Sequence, residues 1–118
     1  MIWLPFLIVD NTFGTPYLVK LKDFGVDIVV HSLTKYIGGH GTSIGGVIID
    51  LGTFDWKSGR FDEFTLPDET YHGIVYADIQ GNAGYITKAR VQRLRETGAC
   101  SSGFNAFLIL EGLDRLRL

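Results

Sequence analysis

One stretch decides the fold of this chain: Val26-Asp27-Ile28-Val29-Val30-His31-Ser32-Leu33-Thr34-Lys35-Tyr36-Ile37-Gly38-Gly39-His40-Gly41. It opens with a β-branched apolar run, which is typical of a buried strand, and continues into hydroxyl residues, a lysine and several glycines. A cationic amine where a buried strand ends is costly unless it is used or paired, so Lys35 is the first candidate functional residue. The neighbouring hydroxyls and glycines would suit a phosphate group.

The chain before this stretch completes a strand–helix–strand unit. An apolar run that ends in a carboxylate predicts a parallel strand over residues 6–10. The spacing of apolar residues over 17–24 predicts a helix, with Thr15 as a possible N-cap and Gly25 as its end. With a second strand over 27–32, the unit has the length of a right-handed βαβ crossover.

This crossover brings two polar segments together. Parallel strands end on the same edge of a sheet, so Asp10 and the segment 32–35 should emerge side by side. Open α/β sheets hold their ligands on that edge. The sequence therefore predicts a binding site that includes Asp10, Ser32, Thr34 and Lys35.

The rest of the chain predicts one further strand and a helical tail. The strand, over 44–51, should be antiparallel to the second one, because the glycine-rich loop of 36–43 is too short for a crossover. We expect an ordered, aromatic-rich excursion over 52–68 and a short helical piece over 69–79. The clearest helix runs from residue 82 or 83 to 97.

Glycine and serine residues mark the ends of the tail helices. Gly98 should end the first, and Ser101 or Ser102 should cap a last helix over 103–116. The apolar residues of this last helix predict a wide buried face: Phe104, Phe107, Leu108, Leu110 and Leu113.

Composition limits the classes of function. The 118 residues carry a formal net charge of -2 with both signs interspersed, so nucleic-acid binding has no electrostatic support. The apolar N-terminus is too short to span a bilayer, and no membrane partner is expected. The single cysteine, Cys100, excludes an internal disulfide, fits a reducing, cytoplasmic setting and is expected to be a small buried residue.

The predicted strands do not make an independent sheet. They are apolar on both faces and need helices on both sides and neighbours at the sheet edges. The chain supplies one crossover helix and a helical tail. It is therefore either a segment of a larger α/β domain or a chain whose core is completed by partners.

The candidate residues fit one kind of cofactor chemistry. A lysine amine is a nucleophile toward carbonyl carbons, and hydroxyls such as those of Ser32 and Thr34 donate hydrogen bonds to phosphate oxygens. Asp10 could hold a protonated ring nitrogen. A lysine, a carboxylate and a phosphate cup form the protein side of a pyridoxal-phosphate site, so Lys35 and Asp10 predict this cofactor.

Two motifs carry a specific resemblance. The segments Asp10-Asn11-Thr12-Phe13-Gly14-Thr15-Pro16 and 25–41 resemble the Cys/Met-metabolism family of pyridoxal-phosphate enzymes. The resemblance implies an α/β fold: part of an aminotransferase-like, fold type I large domain with a mostly parallel sheet, one antiparallel strand and helices around it. Residues 1–118 would be a partial cofactor-binding large domain without a complete C-terminal domain.

The same resemblance implies a role for each site residue. Lys35 falls on the lysine that forms the Schiff base and then shuttles protons, which makes it the catalytic residue. Asp10 falls on the aspartate that holds the pyridine nitrogen, and Ser32 and Thr34 fall on the residues that bind the phosphate. Thr12 is placed against the ring face. No metal is expected, because the three histidines, at 31, 40 and 72, lack the spacing of metal ligands.

Several later segments are similar to the O-acetylhomoserine sulfhydrylase branch of the family: Phe54-Asp55-Trp56, Ser58-Gly59-Arg60-Phe61, Tyr71-His72-Gly73 and Gly98-Ala99-Cys100. This implies γ-replacement on O-acetylhomoserine with sulfide or methanethiol, giving homocysteine or methionine, in a homo-oligomer that is a dimer of dimers. The fragment alone is expected to be inactive, because its relatives are several times longer.

Three alternatives stay open at this point. The chain could be a cystathionine γ-synthase or methionine γ-lyase type member, since these share the central motifs. It could be a truncated remnant that keeps the motif without catalysis. Fold analogy alone also allows a nucleotide-binding module.

The acidic pairs Asp62-Glu63 and Asp68-Glu69 are interpreted as solvated loop charges.

Overall fold

A computed structural model describes residues 5–116, so the predicted features at residues 1–4 lie outside the described part. The chain divides into two compact units. The first comprises Met1–Leu51 and Ser101–Leu118, and the second is Gly52–Cys100. In the described residues no helix is long and apolar enough to cross a membrane.

A three-stranded mixed sheet forms the centre of the first unit. Strands β1 (Ile8–Asp10), β2 (Ile28–Ser32) and β3 (Gly46–Asp50) lie in the order β1-β2-β3. Strand β2 is parallel to β1, with Asp10 opposite Val30, and antiparallel to β3, with Ser32 opposite Gly46. The predicted directions of all three strands are confirmed.

Only the central strand is buried as predicted. Ile28 and Val29 of β2 are 1% and 5% exposed, whereas Ile8 of β1 is 49% exposed. The prediction that β1 is a buried strand is therefore wrong for the described residues. A central strand is covered by neighbours on both sides, whereas within residues 5–116 β1 has a hydrogen-bonded neighbour on one side only.

The crossover helix is broken in two. Helix α1 (Thr15–Leu18) is followed by extended backbone at Val19 and then by a single 3₁₀ turn, Leu21–Phe24. Gly25 ends the turn with φ 71°, a conformation that glycine adopts without strain, so the predicted end is confirmed. Thr15 is the first residue of α1, and its hydroxyl accepts from the Tyr17 and Leu18 N–H groups at 3.3 and 3.5 Å, which are the hydrogen bonds predicted for a cap.

The last helix lies in the same unit. Helix α5 (Gly103–Arg115; the intervening helices follow below) begins at Ser102, whose side chain accepts a hydrogen bond from the Asn105 N–H, as predicted. The predicted wide buried face is wrong. Only Ile109 and Gly112 of α5 are buried, and Leu108 is half-buried. The other four residues of the predicted face are exposed: Phe104 70%, Phe107 57%, Leu110 59% and Leu113 41%.

The second unit is organised around aromatic rings. It contains α2 (Asp62–Thr65), 3₁₀ turns at Tyr76–Asp78 and Gln80–Asn82, and α3 (Gly84–Lys88), which continues through a π-helical segment, Ala89–Leu94, into α4 (Arg95–Thr97). The predicted helix over 82–97 and its end at Gly98 are confirmed. The Trp56 ring stacks on Phe64, with 4.1 Å between centroids, which confirms the ordered aromatic excursion.

Two predictions fail in this unit for one reason. The Asp68 carboxylate accepts hydrogen bonds from the Thr70 N–H and hydroxyl, the Tyr76 hydroxyl and the Gln92 side chain. Asp68 is thus a partly buried acceptor, not a solvated charge, and its bonds to Thr70 favour a turn where we predicted helix over 69–79.

The prediction that Cys100 is buried is also wrong, because this residue is exposed.

Candidate functional site

The carboxyl edge of β1 and β2 brings three of the predicted site residues into one hydrogen-bonded arrangement. Asp10 Oδ1 accepts from the Thr12 backbone N–H at 2.9 Å and from the Thr12 hydroxyl at 2.5 Å. The same hydroxyl oxygen accepts from the Ser32 N–H at 2.8 Å. Thr12 therefore joins the residue at the end of β1 to the residue at the end of β2.

These bonds set the charge of Asp10. The Thr12 hydroxyl, and after it the Thr12 N–H, hold the pKa of Asp10 below its usual value, and nearby His31 lowers it further. Asp10 is consequently an ionised carboxylate through the neutral range. Its other oxygen, Oδ2, receives no donor from the described residues, so it remains available to accept from a protonated ring nitrogen.

Thr34 closes the loop that leaves β2. Its hydroxyl oxygen accepts from the Gly45 N–H at 3.1 Å, and a longer contact of 3.4 Å joins it to the Gly45 carbonyl oxygen. A hydroxyl has one proton and two acceptor lone pairs. While Thr34 accepts from Gly45, its proton is still available to a phosphate oxygen, at the expense of the weaker contact.

Lys35 is presented on the surface of this loop. Its side chain is exposed, and no described carboxylate forms an ion pair with it. Its backbone is held at both ends, since the Lys35 N–H donates to the Ser32 carbonyl at 3.3 Å and the Lys35 carbonyl accepts from the Gly39 N–H at 2.8 Å. The flexible amine therefore extends from a fixed backbone.

The residues present fit the protein side of a pyridoxal-phosphate site. The edge offers an ionised acceptor at Asp10, hydroxyl donors at Ser32 and Thr34, and at Lys35 an amine that no carboxylate of residues 5–116 pairs with. The roles assigned to these residues stay predictions. The described residues hold no group of three or more His, Cys, Asp or Glu side chains arranged as metal ligands.

We predicted no role in the site for two residues that lie at these strand ends, Asn11 and His31. Asn11, 7% exposed, donates from its side-chain amide to the Thr15 and Val19 carbonyls at 3.1 and 3.0 Å, and so holds the broken helix behind the site. An Asn directly after a strand and before a turn is the signal that could have found it. His31 is a buried strand residue as expected, 3% exposed, with its Nδ1 unbonded in the described residues.

Comparison with known proteins decides the family. The family model for Cys/Met-metabolism pyridoxal-phosphate-dependent enzymes matches residues 5–118. The chain belongs to this family. The predicted resemblance is thereby confirmed, and the α/β fold of type I with it.

Individual members of the family agree. The chain is 52% identical over 120 residues to the O-acetyl-L-homoserine sulfhydrylase of Leptospira meyeri, covering 95% of this chain and 27% of that protein. It is 54% identical over 115 residues to the homocysteine synthase of Schizosaccharomyces pombe, again over 95% of this chain and 27% of the relative. The chain thus spans about a quarter of the length of these curated relatives.

A solved structure supports the fold independently. The crystal structure of an O-acetylhomoserine (thiol)-lyase from Campylobacter jejuni superposes with a TM-score of 0.84 at 38% identity, over 92% of this chain and 27% of that chain. That protein holds N'-pyridoxyl-lysine-5'-monophosphate, a lysine joined to the cofactor.

Proposed function

We propose that these 118 residues are part of the cofactor-binding large domain of an O-acetylhomoserine sulfhydrylase. The whole enzyme would replace the γ-acetoxy group of O-acetylhomoserine with sulfide or methanethiol and release homocysteine or methionine. The observation that carries the proposal is the hydrogen-bonded link of Asp10, Thr12 and Ser32 at the strand edge that also presents Lys35. The names of the similar relatives support the choice of substrate.

Each site residue has a defined task in this proposal. Pyridoxal phosphate, when bound, supplies a ring that accepts electrons from the substrate α-carbon. The Asp10 carboxylate would keep the proton on the ring nitrogen, and the Ser32 and Thr34 hydroxyls would bind the phosphate. The Lys35 amine would hold the cofactor covalently and, once free, would move protons at the α- and β-carbons of the substrate.

The role that we propose for Thr12 differs from the one that the resemblance implies. Its only hydroxyl proton is committed to Asp10, so the hydroxyl cannot also donate to a cofactor atom. We propose that Thr12 acts through Asp10, keeping the carboxylate ionised and oriented. Contact between its methyl group and the ring face stays a prediction.

We propose that the isolated chain binds the cofactor without completing the reaction. It spans about a quarter of the length of its relatives. In the whole enzyme, which would be a homo-oligomer, a dimer of dimers in the cytoplasm, the rest of the chain and a neighbouring subunit would supply the remaining walls of the pocket. Turnover of O-acetylhomoserine and sulfide by the isolated chain, at a rate near that of a full-length relative, would contradict this. Cystathionine γ-synthase or methionine γ-lyase chemistry in the whole protein would contradict the proposed substrate.

Covalent labelling tests the role of Lys35. The chain is mixed with pyridoxal phosphate, reduced with borohydride and digested, and the modified lysines are identified by mass spectrometry. We expect the label on Lys35, together with a visible absorption band that is lost in Lys35→Ala. Lys57→Ala, which removes an exposed lysine paired with Asp78, is the matched control and should keep the band.

Three results, from this labelling experiment or from a thermal-stability assay with added nucleotide, would contradict the proposal. Equal labelling of all lysines would mean that Lys35 is an ordinary surface amine. Stabilisation of the chain by a nucleotide, with no response to pyridoxal phosphate, would support the nucleotide-binding alternative. An aggregated chain without a band would support the truncated remnant.

A further inference from the structure

Helix α5 lies directly against the loop that carries Lys35. The contact is made through Gly112, which is buried. A Cβ atom added at Gly112 would overlap the carbonyl oxygens of Ile37 and Gly38. A distance this short requires a glycine, so the helix backbone itself is the surface on which the loop rests.

Short contacts within the loop also hold its backbone in place. The Gly38 N–H donates to the Leu33 carbonyl at 2.7 Å, and the Gly39 N–H donates to the Lys35 carbonyl at 2.8 Å. A Cβ added at Gly38 would lie 2.6 Å from the Leu33 oxygen. A push from α5 therefore cannot be absorbed at Gly38 and must move the backbone around Lys35.

A second contact reaches the far end of the same loop. Ile109, one turn before Gly112 and 5% exposed, places its Cδ1 atom 2.5 Å from where a Gly45 Cβ would lie. Gly45 is the residue whose N–H donates to the Thr34 hydroxyl. Helix α5 thus touches the loop behind Lys35 and also behind Thr34.

We propose that α5 is a positioning element for Lys35, acting through Gly112 and Ile109. This inference rests on the proposed function, because a lysine that reacts with a cofactor needs a backbone that is held in place. A lysine amine on a four-carbon stem has many rotamers, and holding its Cα in place reduces the number that miss the reacting carbon. Neither Gly112 nor Ile109 belongs to the proposed pocket.

The first test measures the contact without any cofactor. Amide hydrogen exchange is followed by NMR in the 118-residue chain and in Gly112→Ala. The overlap created by the new methyl should speed exchange at Gly38 and Gly39 about tenfold, while the β2 amides keep their rates. Gly103→Ala lies in the same helix with no atom within 4 Å of the new Cβ, so it should change neither set.

The second test measures the consequence for Lys35. In Gly112→Ala, the share of the pyridoxal-phosphate label on Lys35 relative to the other lysines should fall about tenfold, with the share unchanged in Gly103→Ala. Ile109→Val removes the Cδ1 contact without adding bulk and should lower the share to a smaller degree. This milder variant keeps the proposal testable if Gly112→Ala fails to fold.

Three results would overturn the proposal. The first is unprotected Gly38 and Gly39 amides in the unsubstituted chain, or unchanged rates in Gly112→Ala. The second is faster exchange spread equally over β2 and β3, which would indicate general destabilisation. The third is faster loop exchange with no change in the Lys35 share. If Lys35 is never labelled, the proposed function fails, and the exchange result still decides whether α5 supports the loop.

Discussion

The hydroxyl of Thr12 donates to the carboxylate of Asp10 at 2.5 Å while its oxygen accepts from the backbone of β2. The Thr12 hydroxyl therefore lowers the pKa of Asp10 and also joins the end of β1 to the end of β2. The carboxylate gains a strong donor from it, since hydrogen bonds to an ionised acceptor are shorter and stronger than those between neutral groups.

Removing this hydroxyl should raise the pKa of Asp10. In Thr12→Val the largest cause of the lowered pKa is lost, whereas Thr12→Ser retains a hydroxyl and should keep the pKa low. A lowered carboxyl pKa stabilises the fold above its unfolded value of about 3.9, and that contribution is lost as the pH falls through the folded value. The Asp10 carboxyl carbon, followed by NMR against pH, gives the measurement.

Thr42→Val is the matched control for this prediction. Thr42 is exposed and is not among the residues that bond to Asp10 or shift its pKa, so its replacement should leave the Asp10 titration unchanged. An unchanged titration in Thr12→Val itself would show that Thr12 does not determine the charge of Asp10.

Replacement of Asn11 by alanine should lower the free energy of unfolding. Both amide protons are used, on the Thr15 and Val19 carbonyls. Asn11→Ala removes both bonds and leaves the Val19 carbonyl without a donor from the described residues, while the Thr15 carbonyl still accepts from the Val19 N–H. We expect the free energy of unfolding to fall by about 1–3 kcal/mol, measured by chemical denaturation.

Two further variants separate the hydrogen bonds of Asn11 from its shape. Asn11→Asp keeps the shape but cannot donate, and it should be no more stable than the alanine variant. Asn105→Ala removes an amide whose contact with the Ile44 carbonyl is 3.4 Å long, and it should change the free energy by less than about 0.5 kcal/mol. Equal losses at Asn11 and Asn105 would refute this account.

Asp68 and Tyr76 should behave as a coupled pair. The Tyr76 hydroxyl donates to Asp68 at 2.6 Å, and the tyrosine side chain is completely buried. In a double-mutant cycle of Tyr76→Phe and Asp68→Asn, the loss of unfolding free energy in the double variant should be smaller than the sum of the single losses. Tyr17→Phe, at an exposed tyrosine of the first unit, combined with Asp68→Asn is the control that should be additive.

Tyr76 also predicts an alkaline limit to stability. Burial, and then the hydrogen bond to Asp68, raise the pKa of Tyr76 to about 12. The unfolded chain releases this proton near pH 10, so stability should fall as the pH rises from about 10 toward 12. Denaturation at several alkaline pH values should show this fall in the parent chain, and the fall should be smaller in Tyr76→Phe. The same slope in both would refute it.

Local patterns predicted the parts of the fold that depend on neighbouring residues. The β-branched run before Ser32 specified β2, and the short loop after it specified an antiparallel β3. Gly98 and Ser102 marked helix ends because capping is decided within one turn of the chain. The motif around Lys35 specified the family through its sequence alone.

The features that were missed depend on distant partners. The break in the crossover helix follows from the Asn11 amide taking a carbonyl eight residues away, at Val19. Asp68 became an acceptor because Tyr76 and Gln92 reach it from 8 and 24 residues along the chain. The exposed side of α5 has apolar periodicity, but periodicity does not specify which segment covers it.

The shared oxygen of Thr12 also ties the alignment of two strands to one backbone amide. A slip of β1 by one residue along β2 would turn Asp10 to the opposite face from Ser32 and carry the Thr12 oxygen away from the Ser32 N–H. The bonds between Asp10 and Thr12 join residues two apart and would move with β1, so the bond lost in a misaligned chain is the one from Ser32. Protection of the Ser32 amide from hydrogen exchange therefore reports whether the two strands have assembled in their correct register.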